Sequence, residues 1–415
     1  MNLGNQSEWD VSYEWKAVLL LSLGFGLVGV DRFVIVPLFP VIMKDLHLDY
    51  QDLGHITGAL SLSWGLASIF MGRLSDRIGL RKVIIPALIL FSLLVGLSGL
   101  ATGLTSLVLV RVVMGLCEGA YAPASITATL NASKPSRHGR NIGLQQALNP
   151  LLGLGLAPII VTQLLRFVSW HFIFPIVTLP GLVLAFFMWK VLRNTDGTPP
   201  QRQIRNPQEA SHKWTDLFGY RNIPLNLLNM GCWLTCLVLL SAFLPSYLVD
   251  HQGMDVQKMG YVLSAMGFGS TIGTILMPMI SDFIGRKTVM VISVIGTAAF
   301  LILLINTGRD PVSLFFYLLM TLVFVFGMIA LTVGPLTGES VPANLMSSAA
   351  GLVSGVGEFI GGALAPVVGG YVAKHFGIQY PMYLCVVAVT IGFLGVLCLK
   401  ETAPRSSGAP SAVVE

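Results

Sequence analysis

The chain alternates long apolar runs with short polar connections over most of its length. An α-helix needs about 20 apolar residues to cross a lipid bilayer, and twelve runs approach or exceed that length. The runs cover roughly residues 17–43, 53–71, 83–103, 106–130, 141–165, 171–192, 223–249, 259–280, 288–306, 312–337, 347–373 and 380–399. This pattern predicts an all-α membrane protein with twelve transmembrane helices.

The composition agrees with a protein that has lipid as its solvent. Of the 415 residues, 54% are hydrophobic and 11% are charged, and the mean hydropathy is +0.76. A soluble domain carries about 25% charged residues. The five cysteines fall in apolar runs and form no Cys-x-x-Cys pair, so we expect neither a disulfide framework nor a zinc site. The polar N-terminus lacks the features of a signal peptide, and we expect the first apolar run to be retained.

One polar segment is much longer than the other connections and divides the chain into halves. Residues 193–220 are basic and rich in Pro and Gln, as is typical of a linker. We predict an N-terminal six-helix bundle over residues 1–192, a cytoplasmic linker over 193–220, a C-terminal six-helix bundle over 221–400 and a disordered cytoplasmic tail over 401–415.

The Lys and Arg residues indicate the orientation of the helices. Cytoplasmic connections of membrane proteins carry an excess of these residues. With a cytoplasmic N-terminus, 18 of the 25 lie at cytoplasmic ends of spans, 5 lie at outer ends, and Arg32 and Arg111 lie within the membrane. We therefore predict that both termini are cytoplasmic. The net charge of +5 follows from this asymmetry, and we expect no nucleic-acid partner.

The two halves repeat each other. The segment GRLSDRIGLRK (72–82) joins the second and third spans, SDFIGRK (281–287) joins the eighth and ninth, and their shared aspartates are 206 positions apart. GLAP in the fifth span and ALAP in the eleventh place Pro158 and Pro366 208 positions apart. Such similar offsets indicate a duplication. Parallel repeats with a substrate site between them, near the membrane midplane, are a known transporter plan.

The first of these loops resembles the signature of the major facilitator superfamily, Gly-x-Leu-x-Asp-Arg-x-Gly-x-Arg-Lys. The residues that carry the resemblance, with its partial copy in the second half, are Gly72, Asp76, Arg77, Gly79, Arg81, Asp282 and Arg286. The resemblance implies the major facilitator fold, in which two pseudo-symmetric six-helix bundles give alternating access to a central cavity by rocking. It also implies a structural or gating role for the loop residues.

A second resemblance is narrower. The segment RVVMGLCEGAYAP (111–123) resembles the fourth span of the anion:cation symporters, which include bacterial sugar-acid carriers, vesicular glutamate transporters and sialin. The shared residues are Arg111, Gly115, Glu118 and Pro123. An Asp-Arg pair in the first span, here Asp31 and Arg32, is also typical of the bacterial members. The resemblance implies a proton-coupled symporter that imports a small organic anion, such as a sugar acid, a hydroxy acid or an aromatic acid.

Five ionisable residues lie at mid-span positions, where an ionised side chain costs about 2.5–3.5 kcal/mol. They are Asp31, Arg32, Arg111, Glu118 and Glu358. We expect them to face the protein interior. Burial opposes ionisation of a carboxyl group and a nearby Arg favours it, so such a carboxyl can gain a proton on one side of the membrane and lose it on the other. An Arg stays charged and can hold a carboxylate with two hydrogen bonds.

Our hypothesis assigns a role to each of these charges. Arg32 projects into a central cavity and binds the carboxylate of the substrate. Asp31 and Glu118 take up protons, and Arg111 tunes them. The alternative is that these residues only form ion pairs that fix helix packing. The role of Glu358 is left open. It is a second proton site, a contact to a cationic or hydroxylated part of the substrate, or a packed, hydrogen-bonded carboxyl.

Other polar residues complete the predicted site through the resemblance. Asn149 falls where the sugar-acid carriers have a substrate-binding Gln, and Trp64 falls near an aromatic binding position in the second span. Gln145 and Thr332 are weaker candidates. Glu358 departs from the carriers, which usually have Asn three residues earlier. These features suit a compact or aromatic monocarboxylate at least as well as a sugar acid.

Other classes of protein account for less of the sequence. A drug/proton antiporter would share the fold and the loop, but Arg32 favours an anion. A membrane enzyme lacks support, since the chain has no His-Glu-x-x-His, no Gly-x-Ser-x-Gly and no phosphate-binding Gly-rich loop with Lys. A non-transporting sensor would carry a sizeable soluble output module. We expect a monomer in a bacterial inner membrane, with H⁺ as the coupling ion and no cofactor.

Overall fold

The computed structural model of the protein describes residues 9–193, 214–342 and 345–403, apart from the side chains of residues 72–74, 76, 77, 214, 215 and 347. Twelve helices in this part of the chain are long and apolar enough to cross a membrane. They are α1 (Val11–Asp45), α2 (Tyr50–Met71), α3 (Leu80–Leu100), α4 (Leu104–Ala132), α5 (Pro135–Leu164), α6 (Trp170–Val191), α7 (Asn222–His251), α8 (Val256–Ile284), α9 (Arg286–Asn306), α10 (Pro311–Leu336), α11 (Ser348–Phe376) and α12 (Tyr380–Cys398). The predicted twelve spans are confirmed. Most of the predicted linker and tail, 194–213 and 404–415, lies outside the described residues.

Polar caps start several helices outside the apolar runs. The carboxylate of Asp10 accepts a hydrogen bond from the backbone N–H of Tyr13 at 2.9 Å, so α1 begins at Val11, before the apolar run does. Asp49 and Asp255 cap α2 and α8 in the same way. The first turn of a helix has backbone N–H groups without partners inside the helix, and an Asp in this position satisfies them.

The two loops that carry the repeated motif turn sharply at a glycine. The helix of α2 continues to Ile78, and Gly79 follows with a φ of 98°; Gly285 follows α8 with a φ of 100°. Both angles lie in a region that glycine adopts without steric cost. The same backbone turn therefore joins α2 to α3 and α8 to α9, as the repeat of the sequence predicts.

The side chains of the second loop connect several helices. Arg286 donates hydrogen bonds to Asp282 at 2.5 Å and to Glu339 at 2.9 Å. The carboxylate of Glu401, after α12, accepts hydrogen bonds from the backbone N–H groups of Arg286 and Lys287 at 2.8 and 3.0 Å. In the first loop, the side chain of Arg81 donates to the backbone carbonyl of Trp189 in α6. The predicted loop residues Gly72, Asp76 and Arg77 lie outside the described side chains.

Interruptions occur at related places in the spans. The hydrogen-bond ladder of the first span is interrupted at Val34, between the helices Val11–Phe33 and Ile35–Asp45, while the φ and ψ of Val34 stay helical; Pro37 lacks the N–H that would bond to Phe33. We call this interruption the break of α1. Spans α5 and α11 each contain a wide, π-helical turn, at Leu151–Leu156 and Glu358–Leu364. Each wide turn is followed directly by the repeated Ala-Pro pair, whose Pro lacks the N–H that would continue an α-helical ladder. Turns of this kind often occur at functional sites.

Helices pack in the same pairs in the two halves. In the first half α2 packs on α4, α3 packs on α4 and α6, and α1 packs on α5 and α6. Each pair recurs in the second half between the helices whose numbers are higher by six. These pairs are α8–α10, α9–α10, α9–α12, α7–α11 and α7–α12. The chain therefore folds into two pseudo-symmetric six-helix bundles, as predicted.

The bundles contact each other through α2 with α11, α5 with α8, and the second part of α1 with α7. We call the end of the bundles where the chain starts the terminal end, and the other the opposite end. A Cβ added to Gly54, near the opposite end of α2, would lie 2.3 Å from the carbonyl oxygen of Pro366 in α11. Gly65 and Gly355, on the same faces but nearer the terminal end, have nothing within 4 Å. The bundles therefore touch at the opposite end and part toward the terminal end.

Polar contacts follow the same division. At the opposite end, the ammonium of Lys374 lies 2.8 Å from the carboxylate of Asp49, and the hydroxyl of Tyr50 donates to Asp250 at 3.1 Å. Both contacts join the two bundles. Among the described residues at the terminal end, the ion pairs join groups of the same half.

Candidate substrate and proton site

The charged residues within the spans gather around the break in α1. Asp31 and Arg32 occupy the last turn before Val34, and neighbouring residues of a helix point about 100° apart. The two side chains therefore diverge. Asp31 is buried within its own half, with 2% of its surface exposed, whereas the side chain of Arg32 reaches the interface between the bundles and is 18% exposed.

Arg111 of α4 holds the backbone of α1 at this break. Its Nη1 donates to the carbonyl oxygen of Asp31 at 2.9 Å and to that of Arg32 at 3.3 Å. The last carbonyls of a helix have no N–H partner within it, so the guanidinium supplies the missing donor. Because Arg111 is 1% exposed, this contact takes place in the interior of the first bundle. The hydrogen bonds of Arg111 among the described residues go to the backbone, and its tuning of the acidic groups stays a prediction.

Two carboxyl groups of this interior have buried oxygens without a hydrogen-bond partner among the described residues. Glu118 is fully buried, and neither of its carboxyl oxygens has a partner among the described residues; the same holds for Oδ2 of Asp31. The two groups interact electrostatically with each other and with Arg111, and Glu118 also interacts with Arg32. Since burying an unpaired charge is costly, these carboxyls are suited to carry protons.

A cross-bundle ion pair occupies Arg32. Its Nη2 donates to Oε2 of Glu358 in α11 at 3.2 Å and to Oγ of Ser61 in α2 at 3.0 Å. The sequence analysis left the partner of Glu358 open and did not single out Ser61. The position of Ser61, one helical turn before Trp64, places it on the same face of α2 and could have indicated it. The indole ring of Trp64 lies 5.8 Å from the guanidinium carbon of Arg32, within the range of a cation–π contact. The structure thus brings Arg32, Trp64 and Glu358 together.

The remaining predicted binding residues make contacts within their own half. Asn149 donates from Nδ2 to the backbone carbonyl of Phe25 at 3.0 Å, and Gln145 donates from Nε2 to Oγ of Ser125 at 3.0 Å. Thr332 is buried, and its hydroxyl has no hydrogen-bond partner among the described residues. None of the three has a hydrogen bond to Arg32, Trp64 or Glu358 in the described part of the chain.

A small cavity lies beside Arg32. It is lined by Arg32, Phe33, Ile35, Val36, Ile56, Thr57, Leu60, Ser61, Arg111, Val238, Ser241 and Ala242. It has room for about one water molecule, which is too small for an organic anion. No group of three potential metal ligands occurs in the described part of the chain.

Two repeated six-helix bundles with a charged contact between them define a multi-pass membrane transporter. Comparison with known proteins makes this assignment definite. Residues 21–362 and 236–414 match the family model of the Major Facilitator Superfamily. The chain belongs to this superfamily.

Its relatives are transporters and not enzymes. The chain is 27% identical to the sialic acid transporter NanX of Escherichia coli over 391 residues, which cover 92% of each chain. It is 29% identical to a probable 4-methylmuconolactone transporter of Cupriavidus pinatubonensis, over 85% of this chain and 87% of the relative. Among solved structures, a bacterial homologue of the human lysosomal transporter Spinster, in an inward-facing and unoccupied conformation, superposes with a TM-score of 0.77 at 17% identity, over 93% of this chain and 98% of the homologue.

Proposed function

We propose that this protein is a proton-coupled symporter that imports a small organic anion with a carboxylate group by alternating access. The observation that carries the proposal is the position of Arg32. It is a partly exposed guanidinium between the two bundles. The first bundle beside it encloses Asp31 and Glu118, whose buried Oδ2 and both Oε atoms have no hydrogen-bond partner among the described residues. A relative named for an acid, sialic acid, supports a carboxylate substrate.

In this mechanism each charged group has one task. Arg32 binds the carboxylate of the substrate, and Trp64 offers a flat surface beside it. Asp31 and Glu118 gain protons when the site faces the outside and lose them when it faces the inside. Arg111 keeps the break of α1 in place, so that Arg32 stays at the interface while the bundles rock.

The direction of transport follows from the orientation that we propose. Since 18 of 25 Lys and Arg residues lie at one set of helix ends, the terminal end faces the cytoplasm of a bacterial inner membrane. The bundles part toward that end in the structure, which is then the state that releases substrate into the cell. A proton gradient directed inward would drive accumulation.

The test uses purified protein in proteoliposomes with an inward proton gradient. The panel contains N-acetylneuraminate, galactonate, benzoate and lactate, each radiolabelled. Accumulation of at least one acid, collapsed by a protonophore, is the expected result; no accumulation of any acid together with gradient-driven efflux of a cationic dye would instead support a drug/proton antiporter.

Replacement of Glu118 by Gln tests the proton role in the same vesicles. The variant should lose gradient-driven accumulation of the transported acid but keep exchange of labelled for unlabelled acid, because exchange needs no net movement of protons. Asp310→Asn, just before α10, is the control. It removes an exposed carboxylate far from α4 that accepts a hydrogen bond from the backbone N–H of Ser313, a contact that Asn can also make, and it should keep accumulation. Normal accumulation by Glu118→Gln would contradict the proton role of Glu118.

A further inference from the structure

The hydrogen bonds of Arg32 limit how a substrate can bind to it. A guanidinium offers a carboxylate two pairs of parallel N–H groups, Nη1 with Nη2 and Nε with Nη2, and Nη2 takes part in both. In this structure Nη2 donates to Ser61 and to Glu358, which use its two hydrogens. A substrate carboxylate that binds with two hydrogen bonds must therefore displace Ser61 or Glu358.

Glu358 is the partner that a substrate anion should displace. It meets Arg32 through one oxygen, at 3.2 Å, and its side chain is 17% exposed. A single contact of this kind is weaker than a paired one. If Ser61 left instead, two carboxylates would share one guanidinium, and neighbouring like charges oppose each other's ionisation.

In the described part of the chain, the surroundings of Glu358 provide no second positive charge within ion-pair distance. Arg32 is the cation within ion-pair distance of Glu358 among the described residues. On the side of α7, Met230, Leu234 and Thr235 pack against Gly357 and Gly361 of the same segment, and none of the three is ionisable. From α2 the neighbour is the hydroxyl-bearing Ser61, whose Cβ lies close to Gly362. A carboxylate displaced from Arg32 would thus be left unpaired within the membrane, and uptake of a proton removes that charge.

We infer that Glu358 occupies the position of the substrate carboxylate on Arg32 while the site is empty, and binds a proton from water when the substrate replaces it. This inference rests on the proposed function and adds to it the group that links anion binding to a proton. When the anion leaves, Glu358 releases this proton and returns to Arg32. One displaceable carboxylate also matches a substrate with one carboxylate group, since a second one would have no cation.

The inference makes a definite statement about pH. In the empty site Glu358 is ionised on Arg32, and in the anion-bound site it carries a proton. Binding of the anion therefore takes up one proton. The affinity for the anion should therefore fall by up to about tenfold for each pH unit, the slope for one linked proton.

Titration calorimetry on the purified, full-length protein tests this statement with the same four acids between pH 5 and pH 8. In Glu358→Gln the slope should be shallower by about one linked proton, so that only protons linked through Asp31 and Glu118 remain, and at pH 8 the affinity should exceed that of the unaltered protein roughly tenfold, because the competing charge is gone. Ser61→Ala is the matched control. It removes the other partner of Arg32 but no charge, so the slope should remain.

The outcomes separate this inference from the proposed function. If the unaltered protein binds none of the four acids at any pH, both are wrong. If it binds an acid and Glu358→Gln keeps the full slope, the inference is wrong and the proposed function stands. If Glu358→Gln does not fold, Glu358→Asp replaces it. The shorter side chain of Asp draws the carboxylate back from Arg32, so the affinity for the anion at pH 8 should rise and its dependence on pH should become shallower. An unchanged affinity and an unchanged pH dependence would contradict the inference.

Discussion

The glycines on the face of α2 that turns toward α11 test which end of the bundles is closed. A Cβ on Gly54 would lie 2.3 Å from the carbonyl oxygen of Pro366, whereas a Cβ on Gly65 would meet nothing within 4 Å. Gly54→Ala should therefore destabilise the state in which the opposite end is closed, and Gly65→Ala should not. If the bundles rock, the terminal ends approach each other in the second state, and Gly65 becomes the crowded residue.

The size of the effect follows from the contact. Overpacking costs about 1–3 kcal/mol, and this range corresponds to roughly a 5–150-fold change in the equilibrium between two states. The partner of Gly54 is a backbone carbonyl, which cannot rotate away as a flexible side chain can. The population that is open at the opposite end should thus rise at least about fivefold in Gly54→Ala. Gly65→Ala should shift the population the other way.

Distances between spin labels at the opposite end can measure these populations. Leu100, before α4, and Val312, at the start of α10, are 73% and 76% exposed and belong to different bundles, so each can be replaced by a labelled Cys once the five native cysteines are removed. Gly54→Ala should add a longer distance to the distribution, and Gly65→Ala should sharpen the shorter one. An unchanged distribution in Gly54→Ala, or shifts of both variants in the same direction, would refute the reasoning.

Two further predictions concern the interior and the outer contacts. Arg111→Ala should lower the free energy of unfolding by about 3–5 kcal/mol, the cost of breaking a buried charged contact. The side chain of Arg32 is partly exposed, so Arg32→Ala should unfold at a temperature closer to that of the unaltered protein, but it should lose anion binding. Thermal unfolding in detergent measures the stability of both variants, and calorimetry measures anion binding. Burial alone raises the pKa of the Asp49 carboxyl, but the Lys374 ammonium and backbone N–H groups of α2 outweigh it and hold the pKa below its ordinary value. The Asp49–Lys374 contact therefore stabilises the closed opposite end fully at any pH above the ordinary pKa of Asp, and this stabilisation is lost as the pH falls through the lowered pKa of Asp49. The distance between the spin labels at the opposite end should stay constant from pH 8 to pH 5 and lengthen only in stronger acid.

The apolar pattern was sufficient to predict the fold because lipid imposes one simple rule on every span. The twelve runs, the division into halves and the repeat all correspond to the helices and their packing. The break of α1 at Val34 could not be predicted in this way. The run from 17 to 43 is apolar on both sides of the break, and hydrophobicity does not distinguish a continuous helix from two joined ones. Arg111, which donates to the carbonyls beside the break, comes from another span.

The site was predictable in its residue types but not in its contacts. An ionisable residue within an apolar run must avoid lipid, and this rule singled out all five interior charges. It does not say which partner each one finds. Arg32 and Glu358 are 326 positions apart, so only the packing of α1 against the second bundle brings them together. The contacts of Arg111 could not be predicted either. Its partners are backbone carbonyls, which every residue has, so the sequence does not indicate which of them accept its hydrogen bonds.

The net charge of the interior groups gives a physical reason for coupling an anion to protons. Two guanidiniums, Arg32 and Arg111, stand against three carboxyls, Asp31, Glu118 and Glu358, so the cluster carries one negative charge if every group is ionised. One proton makes the empty cluster neutral. A bound monocarboxylate adds a further negative charge, and a second proton is then needed to keep the cluster neutral. Since a membrane interior strongly opposes net charge, the binding of an anion that we propose at these residues would require a proton to accompany it.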